Sequence, residues 1–172
     1  MKVSDLNKNE YKPYFETYVS KVPQMELINT LEYSKNKMLD VLKDISEEKL
    51  NYKYAKDKWS IKELLVHLMD TERIFCARSL RFARKDNTPL AGYDENEYAA
   101  NSNCKHRTKE SLINEYKTLR ASTICLFESF TNEMLLEQGI ASNSKISVRA
   151  MGFIISGHDL HHLAVLKERY LK

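Results

Sequence analysis

Apolar positions along the chain fall into four long stripes with helical spacing. A first helix is predicted from about Gln24 to Asp44, where Leu27, Leu31, Met38 and Leu42, with Ile45 just beyond, recur at three-, four- and seven-residue steps, the pattern of a helix with one buried face. A second stripe opens on Ser60-Ile-Lys-Glu63, a capping box in which the serine oxygen accepts from the Glu63 amide and the glutamate reaches back. Ile61, Leu64, Leu65, Leu68, Phe75 and Phe82 continue it to about Arg84. The third predicted helix runs from about Thr108 to Phe130, with Leu112, Tyr116, Leu119, Thr123, Leu126 and Phe130 inward. The fourth is capped by Ser147 and reaches about Tyr170, with Met151, Ile154, Ile155, Val165 and Leu166 on its apolar side.

The segments between are less regular. Residues 1–23 carry Pro13, Pro23 and the aromatics Tyr11, Tyr14, Phe15 and Tyr18 without a sustained period, and read as an arm packed on the domain. Residues 45–59 read as a short helical turn followed by a loop, with Trp59 packing as a staple on the second helix. Residues 85–107, with Pro89, Gly92 and many Asx residues, form a long connection of the kind that is more often functional or a lid than idle. The stretch TNEMLLEQGIASNSK, 131–145, is read as a further connection.

Four helices of this length make an all-α antiparallel bundle the economical architecture. Composition agrees. The 172 residues fit one domain, 42% are hydrophobic, and only four glycines and three prolines occur, too few for a turn-rich β fold. The net charge of +3 is mild and Lys and Arg are interspersed with Asp and Glu, which excludes no fold but gives no nucleic-acid footprint. The densest basic stretch, Arg78 to Lys85, reads as the solvated C-terminal end of the second helix, where cations suit the dipole, with an anion-binding patch as the alternative. Cys76, Cys104 and Cys125 are widely spaced and make no zinc knuckle or disulfide framework; Cys76 and Cys125 read as small core residues. The first residues lack the apolar core of a signal peptide and no run is long enough to span a bilayer, so the expected compartment is the cytoplasm, with neither membrane nor nucleic acid as partner.

The chemistry of the chain lies in its histidines. His158 and His162 stand four apart, so their imidazoles project from one helix face, one turn apart. His67 lies on or beside the buried side of the second helix. A lone histidine on an apolar face is usually a hydrogen-bonded core residue, and paired helical histidines also arise by chance. Three neutral imidazoles converging on one cation would instead leave coordination positions open, as in a catalytic site. No HExxH occurs, so the zinc-protease motif is absent. Around the ligands, His161 reads as a boundary residue on the helix flank, the alternatives being a group that supports a ligand or a proton carrier, and His106 as solvated. Asp70 reads as exposed, the alternative being a carboxylate that orients an imidazole. Tyr93, Asp94, Glu95 and Tyr98 read as solvated loop with the mouth of the site as the alternative.

The run KWSIKELLVHLMDTERIFCARSLRFARKDNTPLAGYDENEY, together with GHDLHHLAVLKERY near the end, resembles the DinB-like (YfiT-type) superfamily over nearly the whole chain after the arm. The resemblance implies an up-down-down-up four-helix bundle spanning residues 1–172 as one domain, with a histidine triad for a divalent metal. One ligand falls on the second helix, matching His67, and two on the fourth, matching His158 and His162. Nickel or zinc is the implied metal, with iron or manganese as alternatives. The family includes bacillithiol and other thiol S-transferases and a mycothiol-dependent isomerase, together with many members of unassigned activity. The expectation is therefore a metal-dependent enzyme acting on a small molecule, first of all a thiol S-transferase using a low-molecular-weight thiol, and as alternatives a metal-dependent hydrolase or a non-catalytic metal-binding stress protein. A homodimer is also implied. No catalytic residue beyond the ligands is identified. A helical interaction module with incidental histidines is the remaining reading.

Overall fold

A computed structural model describes all residues from 1 to 172. Its four long helices are α2 (Leu27–Leu42), α3 (Ile61–Ala83), α5 (Lys109–Glu128) and α7 (Val148–Val165), with short α1 (Glu16–Val19), α4 (Glu95–Ala100) and α6 (Asn132–Leu136) in the connections. Each long helix lies within a few residues of its predicted span. The capping box at Ser60 forms as the sequence demands: Glu63 N donates to Ser60 Oγ at 3.2 Å and Ser60 N to Glu63 Oε2 at 2.6 Å. Thr108 and Ser147 cap α5 and α7 through Ser111 N and Ala150 N.

Cross-helix hydrogen bonds fix the directions. Thr30 meets Ser156 and Ser34 meets Asp159, so α2 and α7 run parallel. Arg73 reaches Glu115 and Cys76 meets Thr123, so α3 and α5 run parallel as well. His67 meets His158 while Ser79 meets Met151, which sets α3 against α7. The order is up-down-down-up. Two parallel neighbours in a row require a connection that returns the length of the bundle, and residues 84–108 supply it.

The inward faces of α2 and α3 match their stripes: Leu27, Leu31, Met38, Leu42, Ile61, Leu64, Leu65, Leu68, Phe75 and Phe82 are all buried. On α5 the buried face is rotated. Arg120 and Phe127 turn inward while Leu119 and Leu126 are only half-buried and Cys125 is exposed, so Cys125 is not a core residue. The reason is a polar layer across the middle of the bundle, which separates two apolar clusters. Arg120 Nε and Nη2 donate to Glu72 at 2.8 and 2.9 Å, Nη2 also to Asp159 at 2.7 Å, and Nη1 to Leu31 O and Ser34 Oγ at 2.9 and 2.8 Å. Tyr116 donates to the same Asp159 oxygen at 2.6 Å.

Two features depart from the sequence reading. Residues 131–145 are not merely a connection. They include α6 and most of a β-hairpin whose strands are β1 (Gln138–Ala141) and β2 (Ser144–Ser147). Its two turn residues, Ser142 and Asn143, both have positive φ, 49° and 58°, as a tight hairpin turn with the native twist requires. The loop before α4 joins the hairpin, Leu90 N donating to Ile140 O at 2.9 Å and Ser142 N to Leu90 O at 3.0 Å. The arm, in turn, lies along α7 through α1 and is pinned by a buried pair, Arg149 Nε donating to Glu10 at 2.8 Å. That cover explains why residues 148–159 are buried on every side. No helix is long and apolar enough to cross a membrane.

Candidate metal centre

Antiparallel α3 and α7 bring the three histidines together. His67 and His158 are buried and His162 is half-buried, and one ring nitrogen from each lies within 4.8 Å of the others. His67 Nε2 and His158 Nε2 are 3.1 Å apart, close to the roughly 3.3 Å edge of a tetrahedral site with bonds of about 2.0 Å. Burial holds all three pKa values down from 6.5: His67 to about 4, His162 to about 3, and His158 well below its ordinary value, with the neighbouring imidazoles adding to the effect at His158 and His162. All three are thus neutral at pH 7, the ligand form of imidazole. His162 Nδ1 is buried with no hydrogen-bond partner, an orphaned polar atom whose desolvation a bound cation would offset. The residues present fit a divalent metal.

Aromatic rings hold the ligands. Trp59 packs on His67 with ring centroids 4.6 Å apart, so it contacts a candidate ligand. Tyr18, from the arm, stands edge-on to both His158 and His161 at 5.1 and 5.3 Å. Gly157 is what lets the arm approach, because a Cβ there would stand 2.2 Å from the Tyr18 carbonyl oxygen.

The triad lies on the wall of a cavity of about 410 Å³. The α3 wall is one helix face, His67, Thr71, Phe75 and Arg78, at successive steps of four, four and three. Tyr93 and Glu95 line the cavity too; Tyr93 is half-buried and shares a hydrogen bond of 2.8 Å with Thr71, so it belongs to the wall, while Glu95 stays exposed to water. Asp94 instead caps α4, and Tyr98 is exposed and packs on Tyr93. His161 is half-buried on the flank of α7 but also faces the cavity, and burial lowers its pKa.

Asp70 does not orient an imidazole: it is half-buried and its partner is Arg73 at 3.5 Å. Asp159, next to His158 in the chain, is turned into the Arg120 layer. His106 is exposed. Arg78 departs most from expectation. It opens the basic run but is only 7% exposed, because three helical turns after His67 it still faces inward. That spacing was the available signal for Arg78. Nothing comparable marked Tyr18, whose place depends on how the arm packs.

The DinB superfamily profile matches residues 30–166. The chain is 24% identical over 144 residues to a protein of Oceanobacillus iheyensis provisionally named a metal-dependent hydrolase, covering 83% of this chain and 82% of that one. It is also similar to the solved structure of YfiT from Bacillus subtilis, provisionally described as a metal-dependent hydrolase with an unusual four-helix-bundle topology. The TM-score is 0.74 with 17% identity, over 83% of this chain and 82% of that one; at that identity the likeness shows the fold.

Proposed function

The chain belongs to the DinB superfamily, and on that footing we propose that it is a metal-dependent hydrolase of a small molecule, its divalent ion held by His67, His158 and His162. The observation that carries this reading is the convergence of three neutral imidazoles on the wall of a cavity large enough for a substrate. A divalent ion held there supplies Lewis acidity, which makes a weak nucleophile such as water reactive near neutral pH. An all-imidazole set suits zinc or nickel. Trp59 and Tyr18 fix the ligand rings and keep bulk water from them. Thr71 and Tyr93 present paired hydroxyls to the cavity. His161, neutral and facing the same space, is the imidazole placed to accept a proton from a nucleophile. Thiol S-transfer would use the same triad with a low-molecular-weight thiol in place of water; the provisional names of both relatives favour water.

The test begins with metal content of untagged protein, which should approach one equivalent of zinc or nickel in the wild type and fall to background in His158→Ala. Metal-loaded enzyme is then offered a panel of chromogenic esters and amides, with and without low-molecular-weight thiols. Turnover that needs the metal but no thiol supports hydrolysis, and turnover only with a thiol moves the assignment to transfer. Wild-type protein that takes up no metal removes the basis for either.

A further inference from the structure

Three arginines are buried, and only Arg78 lacks a carboxylate. Arg120 bonds Glu72 and Asp159, and Arg149 bonds Glu10. Arg78 Nη2 donates to Ala91 O at 2.8 Å and to Ser142 Oγ at 3.1 Å; these neutral partners orient the guanidinium without cancelling its charge. The remaining donors, on Nε and Nη1, have no protein acceptor among the hydrogen bonds formed, and the residue lies on the cavity wall. The other charged residues on that wall outside the histidines, Lys12 and Glu95, are exposed to water, so neither neutralises it. A buried cation with no counter-charge is destabilising, and burial accordingly lowers the Arg78 pKa. A ligand that brings the missing negative charge recovers that cost.

The position also sets a length. His67 and Arg78 share one face of α3 with Cα atoms about 16 Å apart at 1.5 Å per residue. Helical side chains lean toward the N-terminus, His67 and Arg78 alike, so the gap between imidazole and guanidinium stays close to the Cα separation, shortened only by the longer reach of arginine. The cavity's apolar lining includes Phe15, Phe75, Met151 and Ile154, interrupted on α3 by Thr71, whose hydroxyl is engaged by Tyr93.

We propose that this cavity selects amphiphilic carboxylic acids: the carboxylate on Arg78, an apolar middle against Phe15 and Phe75, and the reacting group at the histidine triad. The reacting end of this assignment rests on the metal reading above; the anion end does not.

Two probes separate them. In metal-free protein, octanoate should quench Trp59, the single tryptophan, while octanamide at the same concentration should not. On zinc-loaded protein, calorimetric titration with a homologous series of ω-carboxyalkyl hydroxamates should show the free acid binding about tenfold tighter than its methyl ester at the best chain length, in line with a hydrogen bond to a charged group. Arg78→Met should erase the difference and Arg78→Lys should keep part of it. The wild-type comparison needs no variant to fold. Equal binding of acid and ester to wild type, with both tight, overturns the proposal and leaves the metal site standing. Octanoate binding that depends on Arg78, with the matching hydroxamate acid binding no tighter than octanoate, supports the anion end and overturns the metal reading. No binding of either probe class overturns both.

Discussion

Arg120→Met tests the polar layer on which the bundle is built. All five guanidinium N–H groups are used, on Glu72, Asp159, Leu31 O and Ser34 Oγ, and the side chain is fully buried. Methionine fills a similar volume but leaves Glu72 and Asp159, each 2% exposed, without a counter-charge. Removing one partner from a buried ionic set costs about 3–5 kcal/mol, against a total stability of roughly 5–15 kcal/mol. The variant should therefore unfold in urea with that much less free energy at pH 7 and melt about 6–20 °C lower. The loss should narrow at about pH 5. Burial already pushes the Asp159 carboxyl up, held back by Arg120 and Tyr116. Without the guanidinium its folded pKa rises further above the unfolded value, so the folded variant gains stability as pH falls and loses it as pH rises. Adding Glu72→Gln and Asp159→Asn should restore part of the loss by removing the stranded charges. A deficit below about 1 kcal/mol, or one that widens toward pH 5, would refute the reasoning.

Three further outcomes follow from the triad and its cover. Zinc at about one hundred times its dissociation constant should stabilise the wild type by about 2.7 kcal/mol, or about 5–10 °C in a thermal-shift assay, and should not move His162→Ala. In the metal-free protein, His67 and His162 titrate at about 4 and about 3 when folded but near 6.5 when unfolded. Their contribution is fully present above 6.5 and is lost as pH falls below it, at up to about 1.4 kcal/mol per pH unit per imidazole; urea titrations at pH 7 and about pH 5 should show the slope, and His67→Gln should reduce it. Gly157→Ala gains about 1 kcal/mol of helix propensity, but its Cβ would press on the backbone of Tyr18, so limited proteolysis should cut the arm faster than in wild type. An unchanged cleavage rate would mean the arm yields without leaving.

The four stripes and the His158–His162 pair were legible because each depends on one helix at a time, while His67 joined the pair only through the family resemblance. Capping at Ser60, Thr108 and Ser147 is local chemistry, and the step from His158 to His162 is fixed by helix geometry. What depends on packing between elements was harder to read. The inward turn of Arg120 breaks the apolar stripe of α5, and only the facing carboxylates on α3 and α7 explain it. The hairpin at 138–147 is short, and its turn carries Ser-Asn in place of the usual Asn-Gly, so its strands passed as loop. Trp59, Tyr18 and Tyr93 reach the cavity from three separate segments, a convergence no single stretch of sequence encodes. Arg78 was misread for another reason: a run of basic residues suggests a solvated helix end, and its charge density hid the helical phase of one member.

The polar layer and the triad are tied through the same two helices. On α7, His158 faces the cavity and Asp159, about 100° further round, faces Arg120. On α3, His67 faces the cavity and Glu72 faces Arg120. Helices packed by apolar side chains alone tolerate alternative registers, whereas ionic hydrogen bonds of fixed geometry do not. A slip of one turn between α3 and α7 displaces about 5.4 Å, more than the 4.8 Å that encloses the three ligand nitrogens. Arg120 therefore does for the site what no ligand can do for itself: it fixes the offset of α3 against α7 before any ion arrives, with α5 supplying the arginine and α2 two of its acceptors. Zinc affinity of the folded fraction of Arg120→Met decides this, since a role in stability alone leaves that affinity at the wild-type value.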